Sequence, residues 1–188
     1  MKTIKIITAI CLIAILAIGA SGCQENVGVS NEEAIEIIEK LFVSVNEINR
    51  IHYGEGINHV SDESDNAYAD VYPDERYKSL EDIEDFTRRI FTKDLADITL
   101  ASSFGETDGI VDREPRYISV KYQGEVKLLI RKDIEPLTEI YEYDLTNIEI
   151  LGTAQGIIEA KIGTTTSKTK RFVLKQEENG WRIDTPTY

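Results

Sequence analysis

The spacing of apolar positions changes twice along this chain. Residues 6–18 form one apolar run broken only by Thr8, followed by the small residues 19–22 and then Cys23. From Ala34 the spacing becomes helical. Ala34, Ile37, Ile38, Leu41, Phe42, Val45 and Ile48 line one stripe over about five turns. Ser30 and Glu33 are spaced as a capping box, Val29 and Ala34 as a hydrophobic staple, and Gly54 and Gly56 as the stop. A second helix follows from Ser79, with Asp82 in the box position and Leu80, Ile83, Phe86 and Ile90 buried. Glu84 and Arg88 sit one turn apart on its exposed face. A third, short helix is predicted after Thr92 with Leu95 and Ile98 inward, leaving 102–108 as connector. From Gly109 the period falls to two, and strands are predicted at 110–111, 117–122, 126–131, 141–151, 157–162, 169–176 and 181–184. Gln123-Gly124 reads as a turn, Pro136 breaks a connection, a bulge is expected near Thr146-Asn147, and Asn179-Gly180 signals a type I′ turn.

Helices first and an antiparallel meander afterwards imply an α+β fold, with N-terminal helices packed on a curved, mostly antiparallel sheet that curls around the first helix. This order resembles the cone-shaped nuclear transport factor 2-like (cystatin-like) superfamily, where a turn followed by Trp-Arg-Ile, here Trp181-Arg182-Ile183, is a common ending. The chain divides into a leader (1–22), a short tether (23–29) and one domain (30–188), without repeats or low-complexity runs.

Charge and cysteine usage narrow the location. Lys2 and Lys5 precede the apolar run, which is too short for a comfortable span, so the leader reads as an export signal. A cysteine directly after small residues resembles a bacterial lipobox, although Ala20 stands where that motif prefers Leu. The resemblance implies cleavage before Cys23 and acylation of it, which holds a protein on a bilayer when two or more chains are attached. The other readings are an uncleaved anchor or plain secretion. Cys11 leaves with the leader, so Cys23 is the one remaining cysteine, and disulfides, thiol catalysis and cysteine-ligated metal drop out. The formal charge of −13 becomes about −15 once the leader's two lysines are gone, with 34 acidic side chains remaining. Such a balance argues against nucleic acid and against lying flat on anionic lipid. It suits either a simply soluble body or one with a basic partner.

Candidate chemistry is sparse. Residues 56–74 form a long polar segment carrying His59, Asp62, Glu63, Asp65 and Asp70. Counted as a calcium loop from Asp62 it fails, because Ala67 and Pro73 occupy the positions that need Gly and Glu. His52 and His59 are the only histidines and read as surface residues. Tyr141 and Tyr143 share a strand face, which reads as packing. Gly105 and Gly109 lack the lysine and spacing of a phosphate loop, and no serine sits in a nucleophile elbow. No catalytic residue, metal site or cofactor is expected.

The run Tyr72-Pro73-Asp74-Glu75-Arg76-Tyr77-Lys78-Ser79-Leu80, a helix, then Ile90-Phe91-Thr92-Lys93-Asp94, resembles the middle of the cell-wall DL-endopeptidase inhibitor family of Gram-positive bacteria (the IseA-like proteins). Gly180-Trp181-Arg182-Ile183 is similar to its ending, though a lipobox departs from the family's ordinary secretion signal. The resemblance implies an exported, non-catalytic domain that binds a cell-wall hydrolase and restrains it. An inhibitor needs only a rigid face that occludes a cleft, and acidic residues steer it toward a basic partner. Asp62, Glu63, Asp65, Asp70, Asp74 and Glu75 are the residues expected to form that face. The alternative is a small-molecule or lipid-binding cone, and an enzyme comes third.

Overall fold

The computed structural model describes residues 28–61, 65–72, 75–105, 114–133, 135–136 and 140–188. The first stripe forms two helices rather than one: α1 (Asn31–Phe42) and α2 (Val45–Tyr53). Ser30 Oγ accepts the Glu33 N–H at 3.1 Å, and Val29 packs against the core cluster to which Ala34 belongs. At the junction the ladder tightens, with the Ser44 N–H reaching back three residues to Leu41 O at 3.1 Å. Ala34, Ile38 and Phe42 recur at four, and Val45, Ile48 and Ile51 at three, all buried. The change of step re-aims the stripe. α1 lies against the sheet, while α2 packs on the two later helices.

α3 (Leu80–Ile90) starts with the complete capping box. Asp82 N–H donates to Ser79 Oγ at 3.1 Å, and Asp82 Oδ2 accepts from Ser79 N–H at 2.9 Å and Lys78 N–H at 2.8 Å. Glu84 and Arg88 pair at 2.8 Å. α4 (Lys93–Phe104) takes in the first three residues of the predicted connector and ends at Gly105, whose φ of 74° closes it. Its inward face differs from the expected one. Ile98 is 69% exposed, Leu95 is half-buried, and Ala96, Thr99, Leu100 and Ser103 point inward. Small side chains let α4 approach α2 and α3 closely, so volume rather than hydrophobicity chose the face.

The strands form two antiparallel sheets, not one sheet curled around the first helix. β1 (Tyr68–Asp70), β2 (Tyr117–Tyr122) and β3 (Glu125–Arg131) pair in the order β1-β3-β2. β4 (Tyr143–Ala154), β5 (Ile157–Thr164), β6 (Thr169–Glu177) and β7 (Gly180–Ile183) form a four-stranded meander in chain order. Gln123-Gly124 turns with positive φ at both residues. At the last hairpin, Glu178 and Asn179 keep negative φ and Gly180 takes +113°, so the expected type I′ turn, which needs positive φ at both central residues, does not form. The bulge near Thr146-Asn147 is present. Register jumps from Asp144↔Gly163 to Ile148↔Ile162, and Asp144 Oδ1 accepts from the Thr146 N–H and Oγ1. The strand expected at 110–111 lies outside the described residues.

One core joins these layers. Ile158, Ala160, Ile162, Phe172, Leu174 and Ile183 face the α1–α2 stripe, and Tyr117, Leu128 and Ile130 continue it from the small sheet. Phe42, Tyr143 and Phe172 meet edge to face at 5.0–5.3 Å.

Candidate functional site

The segment read as a long polar loop is largely paired. Val60 N–H donates to Asp70 O at 2.8 Å and Tyr72 N–H to Asn58 O at 3.2 Å, with His59 opposite Val71. Residues 58–60 thus cover the free edge of β1, whose other edge pairs with β3 through Tyr68↔Arg131, Ala69↔Ile130 and Asp70↔Leu129. Period-two alternation over so short a strand is weak, and only Ala69 within it is buried, so the sequence pattern misses it.

The expected acidic face distributes over this framework. Asp70 projects from the outer side of β1 and pairs with Lys127 at 3.5 Å. Asp65 is exposed, and the half-buried Glu75 accepts from Asn58 Nδ2 at 2.6 Å. Asp62, Glu63 and Asp74 lie outside the described residues, as does Cys23. Two shallow, open depressions flank Asp70. One, of about 390 Å³, is bordered by Tyr68, Ile118 and Leu129 on the outer face of the small sheet. The other, of about 380 Å³, is floored by Val71, Tyr77 and Leu128, with Tyr72, Val126 and Lys127 on its walls. Val60, Tyr72 and Val126 are exposed around the second, and Tyr122, also exposed, carries Lys127 Nζ 5.3 Å from its ring centroid. An apolar centre with a mixed-charge rim is the composition of a protein-docking patch, and Lys78, Lys127 and Glu125 were not among the residues expected there. Composition alone carries no signal for them, because Glu125 and Lys127 on β3 meet Lys78, from the segment before α3, only in the folded domain.

His52 contradicts its reading as a surface residue. Its ring is buried at the end of α2, with Nδ1 2.7 Å from Ser103 Oγ and Nε2 2.8 Å from Thr87 Oγ1. Thr87 Oγ1 donates to Ile83 O at 2.7 Å, so it accepts from His52 Nε2–H, and Nδ1 is left to accept from Ser103. Burial first, and then the nearby Arg116 guanidinium, push the imidazole down to about 3. A neutral, enclosed ring with both nitrogens bonded holds α2 to α3 and α4. It is closed to substrate. His59 is half-buried, its Nδ1 donating to Ile57 O at 3.2 Å.

Arg116 and Tyr117 finish α2. Arg116 donates to His52 O at 3.2 Å and to Gly54 O, and Tyr117 Oη donates to Ile51 O at 2.8 Å. A cation at the carbonyl end of a helix complements its dipole. Tyr143 is packed and donates to Thr187 O at 2.6 Å, while Tyr141 lies under Lys170 at 3.8 Å, so each ring of that pair has its own neighbours.

Among the described residues no group of three or more His, Cys, Asp or Glu is placed to hold a metal ion, and no helix is long and apolar enough to cross a membrane. No protein-family model matches the chain, and no curated protein matches it.

Proposed function

We propose that this chain is a cell-surface lipoprotein, anchored through Cys23, whose domain is a non-catalytic binding module that restrains a peptidoglycan DL-endopeptidase. The observation that carries the reading is the patch beside β1. Val60, Tyr72 and Val126 stand exposed around an open depression rimmed by Asp70, Lys78, Glu125 and Lys127. An open depression of this kind receives a side chain or loop of a macromolecule more readily than it encloses a small molecule. Pairing of 58–60 with 70–72 holds the patch rigid, so little ordering entropy opposes docking. The excess of acidic side chains steers a basic hydrolase toward it.

The deciding experiment is peptidoglycan digestion by the host's endopeptidases with purified protein added at micromolar concentration. Digestion slows with the native protein, and the double substitution Tyr72→Ala, Val126→Ala weakens the effect about tenfold or more, as expected for central interface residues. Undiminished digestion across the whole set defeats the reading. Cys23→Ser releases the protein from the membrane with its fold intact; a variant that stays membrane-bound defeats the lipid anchor.

A second reading is a small-molecule or lipid-binding cone of the nuclear transport factor 2-like kind. It is supported by α1 packed on a four-stranded meander and by the apolar floor of Val71, Tyr77 and Leu128. Hydrophobic-probe binding lost in Leu128→Gln, with digestion unaffected, favours it.

A further inference from the structure

We propose that the β4–β5 hairpin is the membrane-facing corner of the domain, resting Leu151 and Ile157 in the interfacial layer of the bilayer; this depends on anchoring near Cys23. Three observations converge on it. The first is where the tether arrives. Gly28 lies directly on the end of β4, so closely that a Cβ added there would stand 2.5 Å from Thr153 O. Cys23 precedes Gly28 by five residues, and at ~3.5 Å per residue the attachment point lies within about 18 Å of this turn.

The second is charge. Residues 150–158, Ile-Leu-Gly-Thr-Ala-Gln-Gly-Ile-Ile, carry none, in a chain with 29% charged residues. The flanking acids are neutralised just inboard. Glu149 pairs with Lys161 at 3.2 Å, and Glu159 pairs with Arg171. An acidic body is repelled by anionic lipid, so the corner that must approach a bilayer is the one from which charge has been removed. The acidic Glu177–Glu178 turn lies at the same end of the sheet but joins β6 to β7, the edge opposite β4.

The third is exposure. Register shifts between Ile150↔Ala160 and Gly152↔Glu159, leaving Leu151 as an extra, unpaired residue. Leu151 is 38% exposed and Ile157 39%, and a Cβ on Gly152 would meet nothing. Two aliphatic side chains do not hold a protein on a membrane by themselves. Held there already by the anchor, they need only select one orientation of the body. The opposite end of the sheet, at the β5–β6 turn, then faces outward.

The test places a tryptophan at each end in a Trp181→Phe background: Leu151→Trp, and Thr165→Trp in the β5–β6 turn. The full chain is reconstituted in phosphatidylcholine–phosphatidylglycerol vesicles with brominated acyl chains. Quenching at position 151 is expected to exceed that at 165 at least about threefold, since interfacial side chains reach the acyl boundary. Equal quenching overturns the proposal. Vesicle flotation reports the anchor separately. If the chain fails to float, a Cys11→Ser version is coupled through its Cys23 thiol to a maleimide lipid and the same comparison is made, so loss of the anchor and loss of the orientation are told apart. Should either tryptophan variant misfold, hydroxyl-radical footprinting of the unsubstituted chain supplies the reading. Leu151 and Ile157 label about threefold less on vesicles than in the Cys23→Ser protein free in solution. Equal labelling overturns the proposal.

Discussion

Acid should unfold this domain through His52. The ring is enclosed by Ser103 and Thr87 and sits beside the Arg116 guanidinium, with its titration pushed down to about 3. In the unfolded chain it titrates near 6.5, so below that pH the unfolded state takes up a proton that the folded state refuses. The contribution is whole above pH ~6.5 and is lost progressively as pH falls toward 3. At about 1.4 kcal/mol per pH unit, lowering the pH from 7 to 4.5 removes roughly 2–3 kcal/mol through this one group. That is a large part of the stability of an ordinary domain. The assay is urea unfolding followed by the fluorescence of Trp181, the only tryptophan, for the native protein and His52→Gln. At pH 7 the variant is weaker by about 1–3 kcal/mol, because Ser103 and Thr87 lose a well-placed partner. At pH 4.5 the gap closes, because glutamine does not titrate. Losses that run parallel in the two proteins, within about 0.5 kcal/mol, refute the reasoning, since extrapolated stabilities are good to about that level.

Two further outcomes test other parts of the frame. Arg116→Met keeps the apolar stem but leaves His52 O and Gly54 O without their donor, at a cost of about 2–4 kcal/mol in urea midpoint terms. Removing that positive charge also lets His52 titrate higher, so the acid loss between pH 7 and 4.5 shrinks; a variant as stable as the native protein rules out the cap. Asp82→Ala removes the acceptor for the Lys78 and Ser79 N–H groups and costs about 1 kcal/mol. The Lys78 N–H foremost holds this carboxyl below the usual aspartate range, so its contribution is present at neutral pH and fades as the pH falls through its lowered value; an unchanged midpoint at pH 7 refutes the cap.

Much of the domain was legible in local pattern. The Ser79–Asp82 box, the inward Ile83, Phe86 and Ile90, the bulge at Thr146-Asn147 and the Gln123-Gly124 turn all depend on residues within a few positions of each other. Sequence therefore determined the α+β class, the identity of most elements and the restriction of cysteine to Cys11 and Cys23. Tertiary structure alone decided the rest. The break at Ser44 exists because two halves of one stripe serve different layers. β1 is a strand because Leu129 and Ile130 offer it partners some 60 residues away in sequence. Ile98 faces water because the small side chains of Ala96 and Ser103 let α4 pack more tightly. His52 became a buried neutral ring because Thr87 and Ser103, on two other helices, satisfy both of its nitrogens. Each of these outcomes depends on a partner remote in sequence, and hydrophobic periodicity encodes which face is buried but not what it is buried against.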